Sequence, residues 1–119
     1  MMNILLIEDN ATMCALLKTL LEIEGHHVTP VIDPGQDILQ IIRDLEPNFI
    51  IMDVHLRHAN GIEILKSIRK MDLSWKLHIL MTSGTDVKEE CLQAGADGFL
   101  LKPYMPDELV RQLNNGSST

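Results

Sequence analysis

Four short apolar runs in this chain each end on residues able to do chemistry. "NILLI" leads into Glu8 and Asp9, "FIIMD" closes on Asp53, "LHILMT" closes on Thr82 with Ser83 next, and "GFLLK" closes on Lys102. Three carboxylates gathered in one place repel each other. Such a cluster is costly unless a cation sits in it or one acid keeps its proton. The donors are all hard oxygens, which suit Mg²⁺ or Mn²⁺ better than zinc. A magnesium site uses a few carboxylates and leaves room for water and a phosphate oxygen. The Thr82 hydroxyl can then donate to a phosphoryl group, and Lys102 can meet it as a point charge. A carboxylate fixed at a rigid strand end beside a metal and a lysine can attack phosphorus and become an aspartyl phosphate. The two cations offset the charge that would repel the incoming group.

That chemistry requires the four run ends to meet, and the elements between them say how. Strand-like and helix-like segments alternate five times. After the first strand, Asn3 to Ile7, Asn10 caps a helix whose apolar stripe is Met13, Leu16, Leu17, Leu20 and Leu21, and Gly25 ends it. "HVTPV" is a weaker second strand. Pro30 lacks the donor a central strand needs, so this strand belongs at a sheet edge. A second helix is capped by Asp33 with Pro34 in its first turn, buries Ile38, Ile41, Ile42 and Leu45, and stops before Pro47. The third helix opens at Asn60, with Glu63 placed to reach back to the cap. A short fourth helix closes at Gly95, and a fifth starts at Pro106 with Asp107 and Glu108 near its positive end. Alternation with short connections implies parallel strands and right-handed crossovers. Near-continuous apolar runs imply helices on both faces. The expected architecture is an open three-layer α/β sandwich. Ligands in such sheets bind outside the carboxyl ends of the strands, where these polar residues fall. Neighbouring strands lie ~4.8 Å apart, close enough for their end residues to converge.

At 119 residues the chain is one domain with room for a core of its own. A net charge of −7, with ten scattered Lys and Arg, argues against direct contact with nucleic acid. One Trp and one Tyr offer no base-stacking surface. No apolar run approaches the ~20 residues of a membrane span, and "NILLI" lacks the flanks of a signal peptide. Cys14 and Cys91 read as reduced, half-buried thiols of a cytoplasmic protein. The five histidines lack chelating spacing and read as non-ligands by side chain. The domain is set at residues 1–113, and 114–119, "NNGSST", form a polar tail expected to be loose.

Taken singly, each polar residue has a plain reading: a solvated helix start for Glu8-Asp9, a turn or helix cap for Asp53, a turn for Thr82-Ser83, surface charge for Lys102. Their order is what distinguishes them. From "ILLIEDN" through "IIMD", "ILMTSG" and "AGADGFLLKPY", the chain resembles a receiver domain of the two-component response regulators over nearly its whole length. The resemblance implies a flavodoxin-like sheet of order 2-1-3-4-5, with the edge strand where Pro30 falls. It implies that Asp53 accepts a phosphoryl group from a histidine kinase or phosphotransfer protein. Glu8, Asp9, Asp53 and the backbone carbonyl of His55 would hold Mg²⁺, and Thr82 and Lys102 would meet the phosphoryl oxygens. Phe99 falls at the position of an aromatic that turns inward when the threonine moves, and Lys102-Pro103 at that of a cis peptide. The surface of the fourth helix, fifth strand and fifth helix would then address an output domain, an effector or a second copy of the chain. Two positions depart from the family. Arg57 stands where a proline is common four residues after the acceptor, which implies a more mobile loop. Phe99 lacks the hydroxyl of a tyrosine. His55 and Gly84 occupy positions that tune the lifetime of the phosphorylated state.

Three other readings compete. A small Mg²⁺-dependent phosphohydrolase with an aspartate nucleophile would need a second aspartate at position 55, where His55 stands. A flavodoxin would need a hydroxyl- and glycine-rich phosphate loop where "EDNATM" is acidic. A degenerate, unphosphorylated receiver would not be expected to keep the full set of acids, threonine and lysine.

Overall fold

The computed structural model describes residues 1–32 and 37–117. Five parallel strands form the main sheet: β1 (Asn3–Ile7), β2 (His27–Val31), β3 (Phe49–Asp53), β6 (His78–Ser83) and β7 (Gly98–Leu101). Their order is β2-β1-β3-β6-β7. This is the expected 2-1-3-4-5 arrangement; the labels shift because two short strands intervene. Those strands, β4 (His55–Leu56) and β5 (Ala59–Asn60), pair antiparallel as a small ribbon directly after Asp53. The sequence reading treated this stretch as loop, since two-residue strands with polar members leave no periodic signal. Pro30 lies in the edge strand β2, in register with Leu6.

Alternation along the central strands divides the core in two. Leu5, Ile7, Ile50, Met52, Ile79 and Met81 face one side, packing with Ile38 and Ile42 of α2 (Ile38–Leu45), Leu65 and Ile68 of α3 (Gly61–Arg69), and Cys91 of α4 (Lys88–Gln93). Ile4, Leu6, Phe49, Ile51 and Leu80 face the other side, packing with Cys14, Leu17 and Leu21 of α1 (Ala11–Ile23) and with Leu109 and Leu113 of α5 (Pro106–Ser117). All five β3 residues are buried, because β3 is central and helices cover both its faces.

Several expectations need correction. In α1 the buried residues are Cys14, Leu17 and Leu21, while Leu16 is 62% exposed. A stripe wide enough to include Leu16 would need a partner beyond the sheet. Both cysteines are fully buried, not half-buried, and burial pushes the Cys91 thiol up to about 11. The cap of α2 is Asp37, whose side chain accepts from the Gln40 amide at 3.2 Å. Asp33 and Pro34 lie outside the described residues. Asn60 caps α3 by accepting from the Ile62 amide at 2.8 Å, but Glu63 pairs forward with Lys66 at 3.1 Å. α5 continues to Ser117, past the boundary set at residue 113. Asn and Ser cost a helix only a few tenths of a kcal/mol, and even Gly about 1, so backbone hydrogen bonding carries the helix on.

Candidate functional site

The carboxyl ends of β1, β3 and β7 bring Glu8, Asp53 and Lys102 together, with Thr82 of β6 alongside Asp53. Asp53 ends the central strand and sits in register with Thr82 on β6. The Val54 amide donates to the Thr82 carbonyl at 2.9 Å, continuing the ladder past the acid. Glu8 leaves β1 with its amide on the Val31 carbonyl at 3.2 Å. Lys102 follows β7, its amide donating to the Ser83 carbonyl at 2.7 Å, with a cis peptide to Pro103. The lysine side chain spans the separation from β7 to β3. Its Nζ lies 2.9 Å from Asp53 Oδ2 and 3.1 Å from Glu8 Oε1. The other Asp53 oxygen, Oδ1, accepts from the His55 amide at 3.1 Å. Glu8, Asp53 and Thr82 are buried, and Lys102 is half-buried.

The backbone beneath Asp53 is fixed by a close approach. The Gly61 amide donates to the Val54 carbonyl at 2.7 Å, and a Cβ on Gly61 would come 2.3 Å from the Asp53 carbonyl oxygen. Only glycine lets the start of α3 pack so tightly on the acceptor strand.

The electrostatics follow from sharing one cation between two buried acids. Burial raises the Glu8 pKa, and the Lys102 charge opposes this without cancelling it, since Lys102 also serves Asp53. For Lys102 itself, burial disfavours the ammonium. Hydrogen bonding and attraction to Asp53 and Glu8 outweigh that penalty, so its pKa is raised. Among the described residues, Glu8 Oε2 is buried without a hydrogen-bond partner. A buried carboxylate oxygen without a donor is expensive, and a hard cation is a suitable partner for it. The donor chemistry therefore fits Mg²⁺. Even so, among the described residues no three His, Cys, Asp or Glu side chains are gathered closely enough to hold a metal ion. Lys102 stands between Glu8 and Asp53, and Asp9 points elsewhere: its Oδ2 accepts from the backbone amide of Arg57.

Phe99 lies on β7 in register with Met81, partly buried against the same core side as α2, α3 and α4. The sequence reading missed two contacts around the acceptor. One is the Arg57–Asp9 hydrogen bond. The other joins His55 Nε2 and Thr85 Oγ1 at 3.3 Å, linking the loops after β3 and β6. Their partners lie 48 and 30 residues apart, and exposed loop residues carry no periodicity that would have paired them. Beside the site, an apolar groove of about 620 Å³ runs between α1 and the start of α5, lined by Met13, Leu16, Leu20 and Tyr104.

The family model of the response regulator receiver domain matches residues 4–114. The chain belongs to the response regulator receiver family. This receiver is 30% identical over 116 residues to the chemotaxis protein CheY of Thermotoga maritima, covering 97% of each chain. It is 32% identical over 113 residues to the DNA-binding response regulator MtrA of Mycobacterium tuberculosis, covering 93% of this chain but 48% of that one. It thus spans nearly all of one relative and about half of the other. Among solved structures it resembles the receiver domain of Francisella response regulator 1452, with a TM-score of 0.87, 28% identity, and coverage of 98% and 96%. As a member of this family, the receiver is a phosphorylation-activated switch of two-component signalling. Nothing in these likenesses supports the phosphohydrolase reading.

Proposed function

We propose that Asp53 is the phosphoryl acceptor of this switch. The observation that carries the reading is the pair of hydrogen bonds on its carboxylate: the His55 amide at 3.1 Å on Oδ1 and Lys102 Nζ at 2.9 Å on Oδ2. Both hold the carboxylate in one orientation at the end of a rigid strand, as a nucleophile requires. The donor is a phosphohistidine of a histidine kinase or phosphotransfer protein. An Asp53 oxygen forms a bond to phosphorus, the N–P bond breaks with its electron pair going to nitrogen, and the histidine, protonated on its other ring nitrogen, leaves as neutral imidazole. Receiver domains generally depend on Mg²⁺. Here Glu8, Asp9, Asp53 and the His55 carbonyl would hold it. When bound, the cation supplies charge neutralisation for a phosphoryl group entering among acids. Lys102 supplies a second positive charge, and Thr82, in register with Asp53, donates its hydroxyl to a phosphoryl oxygen.

The acyl phosphate carries about two negative charges where the free carboxylate carried one, and it sets phosphoryl oxygens beside Thr82 and Lys102. Thr82 drawn toward them leaves space that Phe99 fills by turning inward, and the surface of α4, β7 and α5 changes shape. That surface controls the output, through an effector, an attached domain or a second copy of the chain. The domain works in the cytoplasm. No helix among the described residues is long and apolar enough to cross a membrane.

Incubation with Mg²⁺ and acetyl phosphate tests the reading. Mass spectrometry should find one added phosphoryl group, stable in acid and labile in base, and absent from Asp53→Asn. A modification that survives in Asp53→Asn would place the acceptor elsewhere. Sustained turnover of phosphate esters would mark a hydrolase.

A further inference from the structure

We propose that the Arg57 backbone amide competes with a cation for the Asp9 carboxylate, so that loading the site and releasing the turn at Arg57 from Asp9 are one event. The inference rests on the reading that Asp9 serves Mg²⁺.

Arg57, unlike a proline, has an amide hydrogen to give. The amide donates it to Asp9 Oδ2. Nothing else in the ribbon uses it. The β4–β5 ladder pairs His55 with Asn60 and Leu56 with Ala59, leaving Arg57 and His58 as the turn. Lys102 takes up Glu8 and Asp53, and Asp9 is the acid it leaves to the loop. This explains how three acids at adjacent strand ends can fail to form a common cage among the described residues. Each acid already has a donor, and for Asp9 that donor is a loop amide. A cation on the Asp9 carboxylate draws electron density from both oxygens and so weakens that bond. By reciprocity, whatever holds the loop on Asp9 weakens cation binding by the same factor as cation binding loosens the loop. Phosphorylation and loop release would then share the same divalent ion.

The competing donor is the Arg57 amide and not its guanidinium, so substitutions at this position separate the two. Proline fits at position 57. The preceding residue, Leu56, is in a strand, and His58 follows with φ +65, as at the second position of a type II turn whose first position favours proline. Calorimetric titration of the full chain with Mg²⁺ should show Arg57→Pro binding roughly three- to tenfold more tightly than the parent. Arg57→Ala keeps the amide and should bind as the parent does. In the parent, the Arg57 amide should exchange slowly with solvent deuterium without Mg²⁺ and faster as Mg²⁺ saturates. Equal or weaker binding by Arg57→Pro overturns the inference, as does an Arg57 amide whose protection is unchanged or increased by Mg²⁺. If Arg57→Pro does not fold, the amide exchange of the parent decides alone. Failure of the parent to bind Mg²⁺ removes the metal reading and this inference together. Binding by the parent with no gain in Arg57→Pro removes only the inference.

Discussion

The two ends of the sheet are built on opposite plans. At the amino end, polar groups mostly tie elements together, although His78 Nε2 at the start of β6 is buried without a partner among the described residues. Arg69, at the end of α3, donates Nε to the Gly95 carbonyl at 2.8 Å, Nη1 to the Leu77 carbonyl at 2.9 Å and Nη2 to Asp97 Oδ2 at 2.6 Å. Asp97 Oδ2 also accepts the Ile79 amide at 2.8 Å, and Trp75 Nε1 donates to the Pro47 carbonyl at 2.7 Å. One guanidinium thus ties α3 to the start of β6 and to the turn before β7. At the carboxyl end, Glu8 and Asp53 share Lys102, Asp9 accepts the Arg57 amide, and among the described residues Glu8 Oε2 has no partner. The first end spends its polar groups on holding elements in place. The second is left short of positive charge, which is what a site that receives a cation and a phosphoryl group requires. The site is not loose for all that: the Gly61 contact shows the acceptor strand clamped by backbone.

The sharpest challenge to that contrast is Gly61→Ala. Its methyl would stand 2.3 Å from a backbone oxygen that cannot yield. Urea unfolding should show a loss of about 3 kcal/mol or more, and phosphorylation of the remaining folded protein should fall. A harmless Gly61→Ala would mean the acceptor end is held by its charges alone. Next in size, Arg69→Ala removes three hydrogen bonds at the other end and should cost about 2–3 kcal/mol in the same measurement. Folded Arg69→Ala should still take up phosphoryl groups at the parent rate. A rate loss would show that the two ends are not separable.

Glu8→Gln should act in the opposite direction and stabilise the protein at pH 7 by about 1 kcal/mol. The folded-state pKa of Glu8 is raised above its ordinary 4.5, mainly by burial. The stability this contributes is present below pH 4.5 and is lost as pH rises through the raised value. The advantage of Glu8→Gln should therefore be small in acid and widen toward neutrality. Melting curves across that range should separate by about 4 °C at the neutral end. A constant difference with pH would mean that Glu8 ionises as freely in the fold as in the open chain. The smallest effect is expected at the ribbon turn. His58 holds φ +65, a region costly for any residue with a Cβ, so His58→Gly should gain about 0.5 kcal/mol. No gain would mean that the imidazole offsets its own strain.

Much of this was legible in the chain. Apolar runs located the five main strands, Pro30 put β2 at an edge, and Asn10 and Asn60 announced their helices, each accepting an amide as expected, Met13 at 2.9 Å and Ile62 at 2.8 Å. Burial and capping are local matters, and composition over a few residues reports them. The sequence reading overextended the α1 stripe to Leu16, because a helical period cannot say how wide a face its neighbours will cover. It missed the β4–β5 ribbon, because two-residue strands are held by ladder and turn rather than by pattern.

By itself, then, the sequence determined the alternation of elements, the buried faces of the strands and the presence of acids, a hydroxyl and an amine at four strand ends. Only the tertiary structure decided how those groups share their charges. It gave Lys102 to Glu8 and Asp53, left one Glu8 oxygen without a donor among the described residues, and tied Asp9 to an amide 48 residues away. The reason is range. Hydrophobic pattern and capping act over a turn or two of chain, whereas the partner of a charge is whichever residue the folded sheet brings within about 3 Å.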